Sequence, residues 1–284
     1  MLYNYFLQFV ISIGLLFAPV ADNVGLLQSI NTNFLNVSAQ KFAVYSEKDR
    51  IVITDSDIDV VQPIASITKL MSAMVFLDRE PDLASIYEIK REDRVEGGRI
   101  HLFLGDRLTL HDLLYTSLIA SDNGATLSLA RSVNVEIDDY VDLMNRKARE
   151  LGLVRTKFSD LTGLDKGNVS TAREVIMLLQ KAMEYEEIRD ALVLAEYSFE
   201  TIQGREKFVE STDRYLIIED EEDGIELNKY VYLGGKTGYI PESGYCFVGF
   251  FQDELKNDYY VSVLNSDNRD SRFIESIKLL NSIE

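Results

Sequence analysis

The feature that most constrains this chain is an interruption: β-rich stretches stand near both ends, and the long middle, residues 79–190, carries helical spacing instead. Lys41-Phe-Ala-Val-Tyr-Ser46 and Arg50-Ile-Val-Ile-Thr54, joined by the polar Glu47-Lys48-Asp49, predict a hairpin. From Ser66 to Asp78 the period changes, with Ile67, Leu70, Met71 and Met74 at i, i+3, i+4 and i+7 of a helix. Thr109 with Asp112, and Thr171 with Glu174, predict capped helices running to about Ala120 and Glu184. Others are expected just after Gly124 and from Asp139 to Leu151, the latter stopped by Gly152. After Tyr197 the pattern is β again, through Tyr230–Leu233, Gly244–Phe251 and Tyr259–Leu264, before a last helix over 271–283.

Strands at both ends with helices between them require an antiparallel sheet closed by segments distant in sequence, beside an all-helical lobe. The expected class is therefore α/β of the α+β kind, with the sheet from 40–62 and 197–284, the lobe over 79–190 and a ligand groove between them. No repeat or long linker breaks residues 24–284, so one folded unit is expected there. Residues 1–21 lack Lys, Arg, Asp and Glu, and Phe6–Val20 is nearly all apolar. That length suits a signal peptide or N-terminal anchor better than a full membrane span, so export to the periplasm or cell envelope is expected.

Composition narrows the chemistry. A formal net charge of -18 repels a phosphate backbone and argues against nucleic acid as a partner. The run Glu219–Asp223 reads as solvated loop. A single cysteine, Cys246, in the apolar run Gly244–Phe251, excludes a disulfide framework and a Cys-based zinc site and reads as a small buried residue. His101 and His111 are the two histidines, without H-E-x-x-H spacing, and both are expected in packing or surface roles.

Three short motifs carry the chemistry: Ser66-Ile-Thr-Lys69, Ser121-Asp-Asn123 and Lys236-Thr-Gly238. Two have second copies, Ser38-Ala-Gln-Lys41 and Ser266-Asp-Asn268, and context separates them. Ser66 opens a helix, where a residue one turn on shares its face, whereas Ser38 leads into a strand, where i and i+3 oppose. Ser266–Asn268 follows the last strand and reads as a turn and helix cap. A serine hydroxyl needs a base within reach, and lysine can serve only when neutral, through burial or a second cation. Lys236 is the natural second cation, and a Ser–Lys pair needs no histidine. Ser121 is placed to relay a proton to a leaving amine, and the Asn123 amide to bond a peptide-like substrate. A glycine-containing strand edge at Lys236–Gly238 lets a substrate peptide lie alongside, with Thr237 and Lys236 facing a terminal carboxylate.

This triplet is the set shared by penicillin-binding proteins and class A β-lactamases. Together with Pro63–Lys69, Gly105–Leu110, Asp112–Leu114, Gly163-Leu164, Asn168–Arg173 and Gly238–Tyr245, it resembles the D-alanyl-D-alanine carboxypeptidase and endopeptidase family of low-molecular-mass penicillin-binding serine peptidases. The resemblance implies a β-lactamase/transpeptidase-like fold and acyl transfer on peptidoglycan peptides through a Ser66 acyl-enzyme. It further implies an oxyanion site at the backbone N–H groups of Ser66 and Tyr239, inhibition by β-lactams, and no metal or organic cofactor. A chain ending one helix after the sheet is similar to the endopeptidase branch, with a carboxypeptidase as the alternative. Phe158–Leu164 has no E-x-x-L-N segment, which makes a β-lactamase the weaker reading, and intact Ser66, Lys69 and Lys236 argue against a non-catalytic wall-binding module. Arg214, Arg269 and Arg272 are equal candidates for the substrate carboxylate.

Overall fold

The computed structural model describes residues 37–48, 52–54, 58–95, 97–213 and 229–283, so the expected export segment and the Glu219–Asp223 run lie outside the described residues. In chain order the strands are β1 (Lys41–Ser46), β2 (Val52–Thr54), β3 (Gln62–Pro63), β4 (Ile86–Glu88), β5 (Arg107–Thr109), β6 (Val169–Ser170), β7 (Glu196–Glu200), β8 (Glu206–Glu210), β9 (Tyr230–Ile240), β10 (Gly244–Asp253) and β11 (Asp258–Ser266). The helices are α1 (Lys69–Leu77), α2 (Leu110–Ile119), α3 (Asn123–Ser132), α4 (Ile137–Glu150), α5 (Ala172–Ala182), α6 (Glu186–Leu192) and α7 (Ser271–Asn281).

The main sheet has the order β2-β1-β11-β10-β9 and is antiparallel throughout. Its closure joins the two ends of the chain, with Val44 of β1 opposite Val261 of β11. The run in β10 is apolar without alternation because both faces of the sheet are covered. Phe247 and Phe251 pack with Phe273 and Leu280 of α7 on one side, while Cys246 and Val248 join the core beneath the lobe on the other. Cys246 is fully buried there, as a small apolar residue would be.

Two strand expectations change. β7 and β8 do not enter the main sheet: among the described residues they pair only with each other, Tyr197 opposite Val209. Their alternation of exposed and half-buried positions gives them one face to bury, against the lobe, and so no place inside a sheet covered on both sides. The strand expected to end near Leu233 instead runs on to Ile240 and carries Lys236–Gly238 in its interior. Gly234 is not a strand end; it sits at φ +128, where a Cβ would lie 3.1 Å from Leu192 Cβ, and the register shifts by a bulge opposite Phe250 and Phe251.

The capping signals mostly hold. Thr109 Oγ1 accepts from Asp112 N at 3.0 Å and Asp112 Oδ2 accepts from Thr109 N at 3.3 Å, closing a reciprocal box before α2. Thr171 likewise caps α5 through Glu174 N at 3.1 Å, but the Glu174 carboxylate accepts from Arg155 N at 2.9 Å and Thr156 Oγ1 at 2.5 Å, tying down the loop before β6. Gly152, at φ +77, ends α4. Replacing Thr109→Ala should cost about 1 kcal/mol of stability in urea unfolding, the usual value of an N-cap; no measurable loss would show that α2 is held by packing alone.

Candidate active site

The site is built around a strained turn. The helix expected to open at Ser66 begins instead as a 3-10 turn, Ala65–Thr68, and becomes α-helical at Lys69. Ala65 adopts φ +48, a left-handed conformation that a side chain disfavours. Two glycines hold it there by close approach: a Cβ on Gly163 would fall 2.0 Å from Ala65 O, and one on Gly238 2.5 Å from Ile64 O and 3.1 Å from Ser66 N. The turn is therefore pressed between the loop after α4 and strand β9. Residues i and i+3 eclipse in a 3-10 turn, which stacks Lys69 beneath Ser66 more directly than an α-helix would.

Lys69 is fully buried, and its Nζ lies 2.8 Å from Ser66 Oγ, 2.7 Å from Asn123 Oδ1 and 2.7 Å from Thr162 O. A carbonyl and an amide oxygen only accept, so they can take two N–H bonds of the amine, which in its neutral form would then turn its lone pair toward the Ser66 hydroxyl. Thr162 O is fixed from behind by Asp160, whose Oδ1 accepts from Thr162 N and Gly163 N at 2.6 Å each.

Burial pushes the Lys69 amine well below the ordinary lysine range, and the Lys236 charge pushes the same way, against the weaker pull of Asp160 and Asp122. Burial also lowers Lys236, to about 8, with Asp213 opposing and Arg272 adding to the shift. Both amines are thus drawn below the ordinary lysine range, and Lys236, at about 8, is still mostly charged at neutral pH.

Ser121 sits in the turn between α2 and α3 at φ +57, and its Oγ is 2.9 Å from Lys236 Nζ. Asn123 is the first residue of α3, two positions before the expected start, because Asp122 supplies the cap by accepting from Ala125 N at 2.8 Å. The Asn123 amide works at both ends, its Oδ1 on Lys69 and its Nδ2 donating to Gly97 O at 3.0 Å. Thr237 Oγ1 is 2.5 Å from Thr212 Oγ1, and Tyr239, half exposed, stacks on Tyr245 at 4.3 Å.

All eight candidates, Ser66, Lys69, Ser121, Asn123, Lys236, Thr237, Gly238 and Tyr239, meet at or directly beneath one cleft of about 320 Å³ between the lobe and the edge strand β9. Of the three arginines, Arg272 is buried, donating through Nη1 to Gly238 O and Cys246 O at 3.3 Å each; Arg269 is exposed on the cleft wall, and Arg214 lies outside the described residues. The second motif copies meet each other instead. Ser38 Oγ is 3.3 Å from Ser266 Oγ, and Asn268 Oδ1 accepts from Ser271 N at 2.9 Å to open α7.

His111 stacks on Tyr115 at 4.1 Å, in the packing role expected of it. His101 departs from that expectation: it lines the cleft, with its backbone N and Nδ1 on Asp122 Oδ2 at 3.2 and 3.0 Å. Sequence reasoning also missed Asp160, Thr162, Thr212 and Asp213. The first two lie just before Gly163-Leu164, one of the segments that bear the family similarity, but nothing in the order Ser211-Thr-Asp213 marks it as packing against Thr237 and Tyr232 of β9.

Ser66, the buried Lys69 and Lys236 are thus brought together between the sheet and the helical lobe. The fold is that of the DD-transpeptidase of Streptomyces K15, matched with a TM-score of 0.75 at 23% identity over 86% of this chain and 96% of that one. The chain belongs to the D-alanyl-D-alanine carboxypeptidase family of serine peptidases, whose model matches residues 28–268. It is 31% identical to a D-alanyl-D-alanine endopeptidase of Haemophilus influenzae over 84% of this chain and 78% of that one. To an endopeptidase of Pseudomonas aeruginosa it is 32% identical over 67% and 59%. A D-alanyl-D-alanine carboxypeptidase of Bacillus subtilis is 27% identical over 72% and 52%.

Because a Cβ at Gly163 would overlap the Ala65 carbonyl, and φ +89 there is unfavourable for any side chain, Gly163→Ala should destabilise the protein by at least ~2 kcal/mol. Acylation by a penicillin should fall with it. Wild-type unfolding and labelling in this variant would show that the turn is held by other contacts.

Proposed function

We propose that Ser66 is the nucleophile of a D-alanyl-D-alanine peptidase acting on peptidoglycan peptides, with Lys69 as its general base. The observation that carries this reading is the contact set of Lys69: two acceptors for its N–H bonds and the Ser66 hydroxyl for its lone pair. In acylation Lys69 Nζ takes the hydroxyl proton as Ser66 Oγ attacks the carbonyl carbon of the D-alanyl peptide bond. The oxyanion is received by the backbone N–H groups of Ser66 and Tyr239, a pairing supported by the approach of Gly238 to the Ser66 turn. The proton that Lys69 took up is relayed through Ser121, held by Lys236, to the departing amine, and that C–N bond breaks to leave an acyl-enzyme that water hydrolyses.

The substrate backbone lies along β9, which among the described residues is the edge strand of the sheet, oriented by the Asn123 amide. Lys236 and Thr237 receive its carboxylate, the nearby Arg269 and Arg272 adding positive potential. β-Lactams acylate the same serine. The Asp160 carboxylate is committed to loop N–H groups, which is consistent with slow turnover of the drug rather than a β-lactamase.

The substrate preference we infer is the D-alanyl cross-link between stem peptides. Supporting it, relatives named endopeptidase stand at 31–38% identity and those named carboxypeptidase at 22–28%. Such a substrate lies outside the cytoplasmic membrane, which accords with an export signal or anchor in the first 21 residues. Among the described residues no helix is long and apolar enough to cross a membrane.

A fluorescent penicillin should label the protein and not Ser66→Ala; persistent labelling would remove Ser66 from the mechanism. Lys69→Ala should slow acylation by at least ~10²-fold, the scale of a lost general base, and a change of only a few-fold would contradict the assignment. Since Lys236 must be an ammonium ion to hold a carboxylate, the acylation rate should fall as pH rises through about 8; a rate still climbing well above that point would sink the role. Mass spectrometry of digested muropeptides should show cleavage of cross-linked dimers. Release of terminal D-alanine alone would make the enzyme a carboxypeptidase.

A further inference from the structure

The buried Asp122 carboxylate divides its two oxygens. Oδ1 accepts from Ala125 N at 2.8 Å and caps α3, while Oδ2 accepts from His101 N at 3.2 Å and from His101 Nδ1 at 3.0 Å. The segment that bears His101 is held again on its other side: Lys207 Nζ donates to His101 O at 3.1 Å and pairs with the buried Asp106 carboxylate at 2.6 Å, whose Oδ2 also accepts from Phe103 N at 2.8 Å. Backbone contacts therefore anchor this segment without the imidazole. What the Nδ1 contact adds is the orientation of the ring.

A carboxylate oxygen only accepts, so Nδ1 carries the hydrogen of that bond, and in the neutral ring Nε2 is then an acceptor. Among the described residues Nε2 makes no hydrogen bond, and the side chain, 16% exposed, lines the cleft. Asn123, which follows Asp122, offers the opposite: its Oδ1 is spent on Lys69 and one Nδ2 hydrogen on Gly97 O, which leaves the second hydrogen as a donor. The lobe wall of the cleft thus carries one acceptor and one donor, on two residues joined through Asp122. In a peptide laid along β9, alternate residues turn both N–H and C=O toward that strand, and those between turn both away from it. A residue turned away needs a donor for its carbonyl and an acceptor for its N–H.

We propose that His101 is a specificity-determining residue: Asp122 orients its imidazole so that Nε2 accepts a hydrogen bond from a backbone N–H of the peptide substrate, across the cleft from β9, while Asn123 donates to the carbonyl of the same residue. This rests on the peptidase reading above and deepens it by assigning the edge of the substrate strand that β9 does not reach. The ligand so selected is an extended peptide with an unsubstituted N–H at that position.

Two replacements separate the ends of the ring. In His101→Asn the amide nitrogen takes the place of Nδ1, which keeps the Asp122 bond and deletes Nε2; in His101→Gln the longer side chain carries an acceptor to the place of Nε2 and gives up the Asp122 bond. Cleavage kinetics are measured on a cross-linked muropeptide dimer, or on a pentapeptide where the wild type cuts only that, with thermal melting as a check of folding. His101→Asn should raise KM by several-fold to about tenfold, the scale of one lost hydrogen bond, with the loss falling on KM more than on kcat, and His101→Gln should raise it less. A residue that worked only by holding Asp122 would give the reverse order, and that order, or an unchanged KM in both variants, overturns the proposal. Depsipeptide analogues, each with one N–H upstream of the scissile bond replaced by an ester oxygen, complete the test in whichever of His101→Asn and His101→Ala folds. At one position the replacement should raise KM in the wild type and not in the variant; additive losses at every position overturn the proposal. Labelling of Ser66 by a fluorescent penicillin in the same proteins reports on the peptidase reading separately, which stands if they label whatever their KM values.

Discussion

The structure turns on keeping one amine dry. Lys69 can act as a base only while it is uncharged, and a lysine near a serine in water is almost wholly protonated. Every larger feature serves that condition. The sheet and the lobe meet over α1 so that Lys69 has no exposure at all, the Asn123 and Thr162 oxygens consume its N–H bonds, and Lys236 adds a second positive charge nearby. The cost of burying that second lysine is then met by polar contacts on the opposite wall, with Ser121 between the two halves.

This arrangement explains why the scaffold needs three distant parts of the chain. The turn at Ser66 cannot hold its strained Ala65 alone; Gly163 from beyond the lobe and Gly238 from the edge strand close on it from both sides. Their lack of side chains is what allows two backbones to approach a third this closely. β9 can both support the turn and, among the described residues, stand at the edge of the sheet because β10 pairs with its other side. A single element thus carries the glycine clamp, the second lysine and the edge on which a peptide could be laid.

Much of this was legible in the sequence, and what escaped has a physical reason. The two-ended sheet, the lobe and the choice between motif copies followed from periodicity, because burial of one face or two writes itself into the spacing of apolar residues. In the fold Gly234 and Gly235 carry β9 past α6 and Tyr232 where no side chain would fit. The alternation in β7 and β8 announced strands but could not say which sheet they join. Asp213, Thr162 and His101 were invisible for a different reason: each acts by a contact across a long stretch of sequence, through a backbone carbonyl, a lone buried carboxylate or a ring nitrogen, with no local spacing to mark it.

The central claim is that Lys69 is uncharged in the resting protein. NMR titration of the protein with carbon-13 at the lysine Cε positions, with Lys69 assigned by comparison with Lys69→Met, addresses it without any substrate or drug. The account requires the Lys69 signal to hold the neutral-amine position at neutral pH and to stay there as the solution is made alkaline. A Lys69 signal at the ammonium position at neutral pH, moving only in the ordinary lysine range, would contradict it.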